Sequence, residues 1–461
     1  MNGFWMIAVF SLVSFYSESL YADPEAIPDT NNLILQSRLA GDTLGMRSLA
    51  MTHGVDITLQ SYSDVLGNTI GGASTGATYS GTLNLGLAID LETAVGWEGA
   101  SFKNSWLWVY GNNLSSQYIN NALTASGIAG PTALQCNELW FQQNLLQDTV
   151  SLRAGLIGLD SEFMLSDTAS FFVNSTFGMP GIFTLDVFSG EPAYQNATPG
   201  IRLALQPVSW LIFRSACAES SQLLQQVNKS VFNWNSTQSG DFVFLNEVAA
   251  TWSQDPESKG LPGTAKVGFW VQTTQGTEQS SGDLPITGST ATGGYNSGFY
   301  GIIDQQLTIV SDKVIATSSA DGKGSVAPNS TQPVSGNNPL MPNIKGLSSF
   351  ARIGFSPEIS SPVSLYADTG FVYTGLIPER DLDKLGIAFG YAAARDPLLS
   401  SNEHSSYVFS PSFEAVAELS YSVQLSPTIS IQPDLQYILH PGGTQQYGNA
   451  LVVGMRAVVN F

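Results

Sequence analysis

Residues 413–425 read FEAVAELSYSVQL, and apolar and polar side chains alternate along this stretch. The odd positions carry mainly apolar groups such as Phe413 and Leu419, whereas Glu414 and Glu418 stand at even positions. Successive side chains of a β-strand point to opposite faces of the sheet. The stretch is therefore predicted to be a strand that separates an apolar environment from a polar one.

The same two-residue period recurs along most of the chain. It is clear in residues 428–439, in residues 451–461, which end on Phe461, and in residues 82–91, 150–156 and 385–393. Weaker forms occupy residues 105–110, 201–206, 242–252, 265–272, 299–310, 349–355 and 363–374. At roughly 27 residues for a strand and its share of the loops, the chain holds about 16 strands.

The composition excludes several classes of protein. Only 12% of the residues are charged and 43% are hydrophobic, which is a charge-poor composition for a soluble protein. The net charge is -20 with 17 Lys and Arg scattered along the chain, so a nucleic-acid partner is not expected. Three separated histidines give no metal-ligand spacing, and no metal site is expected.

The first 22 residues resemble an export signal. An apolar run at 4–15 precedes Leu20-Tyr21-Ala22, although no Lys or Arg precedes the run. The run is too short to span a bilayer, and no longer apolar stretch follows it. An exported chain without a spanning helix can still cross a membrane as a closed barrel, because closure pairs every backbone group. The predicted fold is therefore all-β: a transmembrane antiparallel β-barrel formed by residues 55–461.

Three segments lie outside this strand pattern. Residues 23–54 are predicted to form an N-terminal periplasmic segment with a short amphipathic helix, because residues 31–53 carry apolar groups at helical spacing before Gly54. Residues 311–348 are rich in Ser, Gly, Asn and Pro and are predicted to form a long solvated loop. Residues 160–200 mix phenylalanines with acids and are predicted to fold into the barrel as a constriction loop. Its candidate polar residues are Asp160, Glu162, Asp167, Asn174, Asp186 and Glu191.

Short motifs spread over nearly all of the chain resemble the OprB family of carbohydrate-selective porins. They include Arg47-Ser48-Leu49-Ala50, Glu138-Leu139-Trp140, Leu152-Arg153-Ala154-Gly155, Phe171-Phe172-Val173-Asn174, Gln432-Pro433-Asp434-Leu435-Gln436-Tyr437 and Pro441-Gly442-Gly443. The resemblance implies a 16-stranded barrel in the outer membrane of a Gram-negative bacterium, through which sugars diffuse into the periplasm without cofactor or catalysis. It also implies lipid and lipopolysaccharide contacts, a possible homotrimer, and Phe461 as the signal that the barrel-assembly machinery recognises. Leu156-Ile157-Gly158 departs from the family pattern, which leaves the solute open.

Candidate pore-lining residues share the polar parity of their strands. They are Arg153, Arg202, Trp270, Arg352, Asp368, Glu414, Glu418, Asp434 and Arg456. Such side chains can hydrogen-bond sugar hydroxyls, or they can simply solvate the lumen and pair with one another. Tryptophans outside this set are predicted to lie in the membrane-interface girdle, namely Trp97, Trp106, Trp108, Trp140 and Trp210.

Catalysis is not expected. Glu414 and Glu418 lie about 13 Å apart along one strand, whereas the carboxyl groups of glycosidases lie about 5 to 9.5 Å apart. Two other functions remain open, a general porin that weakly prefers cations and an exported soluble carbohydrate-binding β-protein. Whether Cys136 and Cys217 form a disulfide is also open.

Overall fold

A computed structural model describes residues 38–42, 45–187, 193–195, 197–220, 241–254, 258, 260–274, 294–310, 345–357, 361–394 and 412–461. Four predicted features lie wholly or partly outside these described residues: the export signal at 1–22, residues 23–37 of the N-terminal segment, Glu191, and the body of the predicted solvated loop at 311–344.

Sixteen antiparallel strands form a closed barrel, which confirms the predicted fold. The strands are β1 Val55–Gly72, β2 Gly76–Asp90, β3 Ala100–Gly111, β4 Ala133–Leu145, β5 Val150–Ile157, β6 Thr198–Val208, β7 Leu211–Glu219 and β8 Phe242–Trp252. They continue as β9 Gly263–Thr274, β10 Gly294–Gln306, β11 Gly346–Phe355, β12 Val363–Thr374, β13 Lys384–Ala394, β14 Ser412–Ser426, β15 Ile429–Leu439 and β16 Gly448–Asn460. Each strand pairs with its sequence neighbours, and β16 pairs with β1 to close the barrel.

The two faces of the strands follow the alternation in the sequence. Leu419 and Met455 are exposed on the outside, whereas Glu418 and Arg456 are buried on the inside. A one-residue slip would exchange the two faces, so the apolar outside and polar inside fix the register. The outer surface is the apolar belt that a membrane barrel presents to lipid.

Strands β1, β4 and β7 have no counterpart among the predicted segments, for local reasons. In β1 and β7 the outward positions include serines, such as Ser63 and Ser215, so the apolar face is interrupted. In β4 a bulge opposite Ser105 and Trp106 shifts the parity between Gln135 and Glu138. Alternation in the sequence therefore fails where the backbone itself leaves the two-residue period.

Among the described residues, four short helices accompany the strands: α1 Met46–Thr52, α2 Leu91–Val95, α3 Ser175–Gly178 and α4 Gly181–Asp186. Tighter or wider turns lie at Ser115–Ile119, Leu159–Ser161, Ala169–Phe171 and Pro441–Gly443. The predicted N-terminal helix is confirmed as α1, which is shorter than the 31–53 pattern and buries none of its side chains. Within the described ranges, no helix is long and apolar enough to span a membrane.

The connections differ between the two ends of the barrel. The end at which β1 begins and β16 finishes carries short turns, such as 146–149 and 209–210. In outer-membrane barrels the short turns lie on the periplasmic side, and the longer loops lie on the outer side. The segment that joins β10 to β11 is an exception, because it lies at the short-turn end. The predicted boundaries need correction here, since β10 ends at Gln306 and residues 346–348 already belong to β11.

Candidate functional site

The predicted constriction loop lies inside the barrel. It connects β5 to β6, and residues 158–197 are called the constriction loop below. Its side chains Phe163, Phe177 and Phe183 are fully buried, and they pack against the inner faces of the strands. The aromatic residues that predicted an inward fold therefore pack the loop against the wall of the lumen.

An ion pair on β11 and β12 binds one end of a loop helix. Arg352 and Asp368 lie directly opposite each other across the two strands, and Arg352 Nη2 lies 2.5 Å from Asp368 Oδ2. The same guanidinium donates to the carbonyl oxygens of residues 176–178 at 2.8, 3.0 and 3.1 Å. These are carbonyls that the short helix α3 cannot satisfy itself. Tyr366 completes the cluster by donating to Asp368 at 2.7 Å.

A second anchor lies on β14 and β15. Glu418 accepts hydrogen bonds from the backbone N–H groups of Val173 and Asn174 at 2.6 and 3.0 Å. The Asn174 side chain donates to Gln436 at 3.0 Å. Beside them Ser420 donates to Asp434 at 2.5 Å. The acidic residues of the barrel wall therefore bind the backbone of the constriction loop.

The opposite wall holds the loop in the same way. Glu247 on β8 accepts from the Met164 N–H at 3.0 Å, and Asp304 on β10 accepts from Ser166 Oγ at 2.6 Å. Within the loop, Asp186 is buried and accepts from the Val363 N–H at 2.8 Å. The loop is thus tied to strands on both sides of the barrel.

A further loop, residues 112–132 between β3 and β4, also folds inward, although its sequence pattern did not predict this. We call it the second inward loop. Leu114, Ile119 and Leu123 are almost completely buried and pack in one apolar cluster with residues of the constriction loop and of β1 and β11–β16. The available signal was weak, since these apolar residues stand at intervals of four or five within a run rich in Asn and Ser.

A cluster of charged residues occupies the wall formed by β3 to β8. Arg153 and Arg202 lie directly opposite each other on β5 and β6, where two like charges repel. Glu162 of the constriction loop bridges them, with N–O distances of 2.9 Å to Arg153 and 2.6 Å to Arg202. Gln142 accepts from both arginines at 2.8 and 2.9 Å.

Two more ion pairs extend this cluster along the wall. Lys103 lies 2.7 Å from Glu138, and Arg214 lies 3.2 Å from Glu247. Among the described residues, neither apolar cluster inside the barrel includes a member of β2, β3 or β6. Strands β4, β5, β7 and β8 therefore carry both charged groups and members of an apolar cluster, whereas β3 and β6 contribute only to the charged cluster.

The two carboxyl groups that the loop adds to the cluster differ in their protonation. Burial alone would raise the pKa of Glu162, but the charges of Arg153, Arg202 and Arg214 lower it to about 2. Burial, together with the charge of Glu138, raises the pKa of Asp160 to about 7. Glu162 is thus ionised at neutral pH, whereas Asp160 titrates there.

Two tryptophans lie on the inner face. Trp270, singled out by its parity, is buried and contacts Phe183 edge-on with ring centroids 5.8 Å apart. The girdle prediction for Trp140 is wrong, because the bulge in β4 turns this residue inward. There the Arg153 guanidinium stacks over its ring at 4.0 Å. Trp97, Trp108 and Trp210 are exposed, as residues at a membrane interface would be.

The structure gives most predicted pore-lining residues a different environment from the expected open lumen. Arg352, Asp368, Glu414, Glu418, Asp434 and Arg456 all face inward but are covered by the two loops. Arg456 pairs with Asp64 across the β1–β16 seam at 2.8 Å. Asp167, in contrast, keeps partial exposure. These covered residues therefore form ion pairs or hydrogen bonds with protein groups, which is the second of the two roles considered for them above.

The cysteines and possible metal ligands are separate from this cluster. Cys136 and Cys217 are free thiols on β4 and β7, three strand spacings or about 14 Å apart, which is too far for a disulfide. Across the described ranges, no group of three His, Cys, Asp or Glu residues is arranged to hold a metal ion.

Comparison with known proteins shows which family of porins this barrel resembles. The family model described as "Carbohydrate-selective porin, OprB family" matches residues 74–461. The chain is 22% identical over 454 residues to Porin B of Pseudomonas aeruginosa, which covers 92% of this chain and 91% of that protein. It is 23% identical over 448 residues to the putative porin QuiX of Acinetobacter baylyi, which covers 92% of this chain and 93% of that protein.

Solved structures agree on the fold. The high-pH structure of Pseudomonas putida OprB aligns with a TM-score of 0.73 at 21% identity, over 92% of this chain and 99% of that one. The low-pH structure of the same protein aligns with a TM-score of 0.53 at 18% identity, over 92% of this chain and 98% of that one. The family match spans most of the sequence and the whole set of strands after β1. This chain belongs to the OprB family of carbohydrate-selective porins.

Proposed function

We propose that the protein is an outer-membrane porin through which monosaccharides and small oligosaccharides diffuse into the periplasm of a Gram-negative bacterium, without catalysis. The observation that carries this proposal is the polar cluster around Arg153, Glu162 and Arg202. It lies where the constriction loop meets strands β3 to β8, of which β3 and β6 contribute no described residue to either apolar cluster.

The chemistry of the cluster suits a neutral, hydroxyl-rich solute. Guanidinium groups donate and carboxylates accept, so a ring of hydroxyls finds both partners as it passes. Glu162 and Arg214 keep 13% and 18% of their side chains exposed, more than the 4% of Arg153 and Arg202, and are therefore more accessible to a solute. Cations and carboxylates alternate here, so the local net charge is small in spite of the overall charge of -20.

This balance bears on the alternative of a cation-preferring general porin. The carboxylates of Glu138, Glu162 and Glu247 each pair with a Lys or Arg, and those of Glu414 and Glu418 bind backbone N–H groups. Paired carboxylates attract mobile cations weakly. The belt of exposed apolar side chains on the outer face likewise favours a membrane barrel over a soluble carbohydrate-binding protein.

Single-channel recording tests the proposal. We expect maltooligosaccharides to reduce the ion current through the protein in a planar bilayer, in a concentration-dependent way, because a sugar in the constriction displaces ions. An equal concentration of an inert polymer too large to enter serves as the control. A current that sugars leave unchanged while ions flow freely would favour a general porin instead.

Replacing Glu162 by Gln should shift the ion preference toward anions. The substitution leaves Arg153 and Arg202 facing each other without their shared counter-charge. A unit charge about 6 Å from a water-filled path is worth roughly 0.7 kcal/mol, or about a threefold change in the ratio of anion to cation permeability. The reversal potential across a salt gradient measures this ratio. The control Glu98→Gln removes the same charge at an exposed site on the α2–β3 turn, and an equal shift in both variants would contradict the assignment.

The ion preference should also change with pH because of Asp160. Its pKa of about 7 means that the carboxyl gains a negative charge as the pH rises through neutrality, so cation preference should increase with a midpoint near 7. The unfolded pKa is about 3.9, so the folded protein binds more protons between pH 4 and 7 and loses stability as the pH rises through that window. Reversal potentials from pH 5 to 9 test this dependence. Asp160→Asn should flatten the curve, and a curve that it leaves unchanged would assign the titration to another group.

The partners at the membrane complete the proposal. The apolar outer belt suits outer-membrane lipid and lipopolysaccharide, and residues 1–22 would direct export. Association into a homotrimer and recognition by the barrel-assembly machinery stay predictions.

A further inference from the structure

The second inward loop, residues 112–132, contributes no residue to the polar cluster described above. It enters the lumen from the outer end of the barrel and rests on the constriction loop. The backbone of Gly127 donates to the Val173 carbonyl at 2.9 Å, and Ser175 donates to the Thr124 carbonyl at 2.9 Å. The Asn174 side chain donates to the Leu123 carbonyl at 3.1 Å. The two loops therefore form one layer across part of the lumen.

One wall carboxylate holds the middle of this loop. Glu414 on β14 is completely buried. Its carboxylate accepts from the backbone N–H groups of Ala122 and Leu123 at 2.9 and 2.7 Å, and from that of Gly442 at 2.6 Å. A carboxylate in such a position binds N–H groups that would otherwise be buried without partners.

The same carboxylate joins the second inward loop to the β15–β16 connection, because Gly442 belongs to that connection. A second contact between these segments runs from the Asn120 side chain to the Tyr447 hydroxyl at 2.9 Å. Glu418 lies four residues after Glu414 on β14. It accepts hydrogen bonds from the backbone N–H groups of Val173 and Asn174 in the constriction loop. Strand β14 thus carries two carboxylates on one face, and each of them fixes one loop.

We propose that Glu414 is a positioning residue that holds the second inward loop across the lumen, and that this loop sets the upper size limit for solutes. The inference rests on the proposed function, because a size limit has meaning only for a diffusion channel. Glu418 holds the constriction loop, which carries part of the polar cluster. Glu414 holds the second inward loop, which narrows the lumen beside the constriction loop.

A neutral amide cannot replace this carboxylate. In Glu414→Gln one of the two accepting oxygens becomes an NH₂ group, which faces backbone donors instead of binding them. The loop would lose at least one of its two hydrogen bonds to Glu414 and would leave its position more often. Glu414→Asp keeps both oxygens but withdraws them by one methylene, so its effect should be smaller.

The test compares solute size limits in proteoliposomes. Swelling rates are measured for wild type, Glu414→Gln, Glu414→Asp and the control Glu98→Gln with glucose, maltose and maltooligosaccharides of increasing length. We expect similar glucose rates in all four proteins, but entry of longer oligosaccharides in Glu414→Gln and, to a smaller extent, in Glu414→Asp. An unchanged size limit in folded Glu414→Gln would overturn the inference.

A second measurement reports the loop position independently of transport. Ala125 is completely buried in the second inward loop. In a background with Cys136→Ala and Cys217→Ala, a cysteine substituted at Ala125 should react slowly with a polar maleimide. The addition of Glu414→Gln should raise the labelling rate roughly tenfold, since one lost buried hydrogen bond is worth about 1.4 kcal/mol. Equal labelling rates would contradict the positioning role even if Glu414→Gln transported poorly.

The two ideas fail separately. If wild type excludes every sugar, the proposed function is wrong, whatever Glu414 does to labelling. If wild type admits sugars and neither the size limit nor labelling responds to Glu414→Gln or Glu414→Asp, only the positioning role is wrong. Heat-modifiable migration on gels verifies that each variant has folded.

Discussion

Replacing Arg352 by Met should detach the constriction loop and destabilise the barrel by about 3–5 kcal/mol, the usual cost of breaking a buried ion pair. Arg352 satisfies Asp368 and the carbonyl oxygens of residues 176–178 at once. Without it, a fully buried carboxylate keeps only its Tyr366 contact, and the end of α3 loses its donors. We expect a lower temperature for the heat-modifiable gel shift and a larger, noisier single-channel current.

Two further variants make this prediction specific. Lys345→Met removes a lysine whose partner Asp381 is 43% exposed on the β12–β13 turn, where an ion pair contributes little, so its gel shift should match wild type. The double variant Arg352→Met/Asp368→Leu removes both buried charges and should recover part of the lost stability. Wild-type stability in Arg352→Met would show that apolar packing alone holds the loop.

Deleting Phe461 should remove most of the protein from the outer-membrane fraction. β16 pairs with both β15 and β1, so it forms the seam of the barrel. At its end the Phe461 N–H donates to the Leu59 carbonyl at 2.8 Å, and the Phe461 carbonyl accepts from Arg47 at 3.3 Å. A barrel that closes poorly exposes unpaired strand edges, which favour aggregation.

Quantitative immunoblots of outer-membrane fractions measure the effect. Phe461→Tyr keeps the aromatic ring and the backbone contacts and should assemble normally. Normal levels of the deleted protein in the outer membrane would refute a role for Phe461 in assembly. Any protein that does assemble should conduct like wild type, because Phe461 lies far along the seam from the constriction loop.

The sequence alone predicted most of the barrel, because a sheet between lipid and an aqueous lumen must alternate. Leu419 faces outward and Glu418 faces the lumen because adjacent residues of a strand point to opposite faces of the sheet. The prediction failed where alternation is broken by the backbone, as at the bulge that turns Trp140 inward, or by outward serines, as in β1 and β7. These features depend on cross-strand partners, which a single sequence does not display.

The site was predictable only in part. The aromatic residues of the constriction loop indicated that it folds inward, and parity identified Arg153 and Arg202 as inward-facing. Parity could not reveal that Glu162 bridges them, nor that Glu414 and Glu418 bind loop backbone. Those contacts join residues up to 292 positions apart in the chain. The second inward loop escaped notice because its few apolar residues lie within a polar run.

The most direct test of the central claim is the swelling of liposomes that contain the purified protein. Wild-type protein should admit glucose and maltose much faster than protein-free liposomes do, with rates that fall steeply as oligosaccharides lengthen. Glu162→Gln should change the relative rates of sugars of equal size, because it alters the polar cluster rather than the width of the lumen. Swelling no faster than in protein-free liposomes, from protein shown to be folded by its heat-modifiable migration, would contradict the assignment of this barrel as a sugar porin.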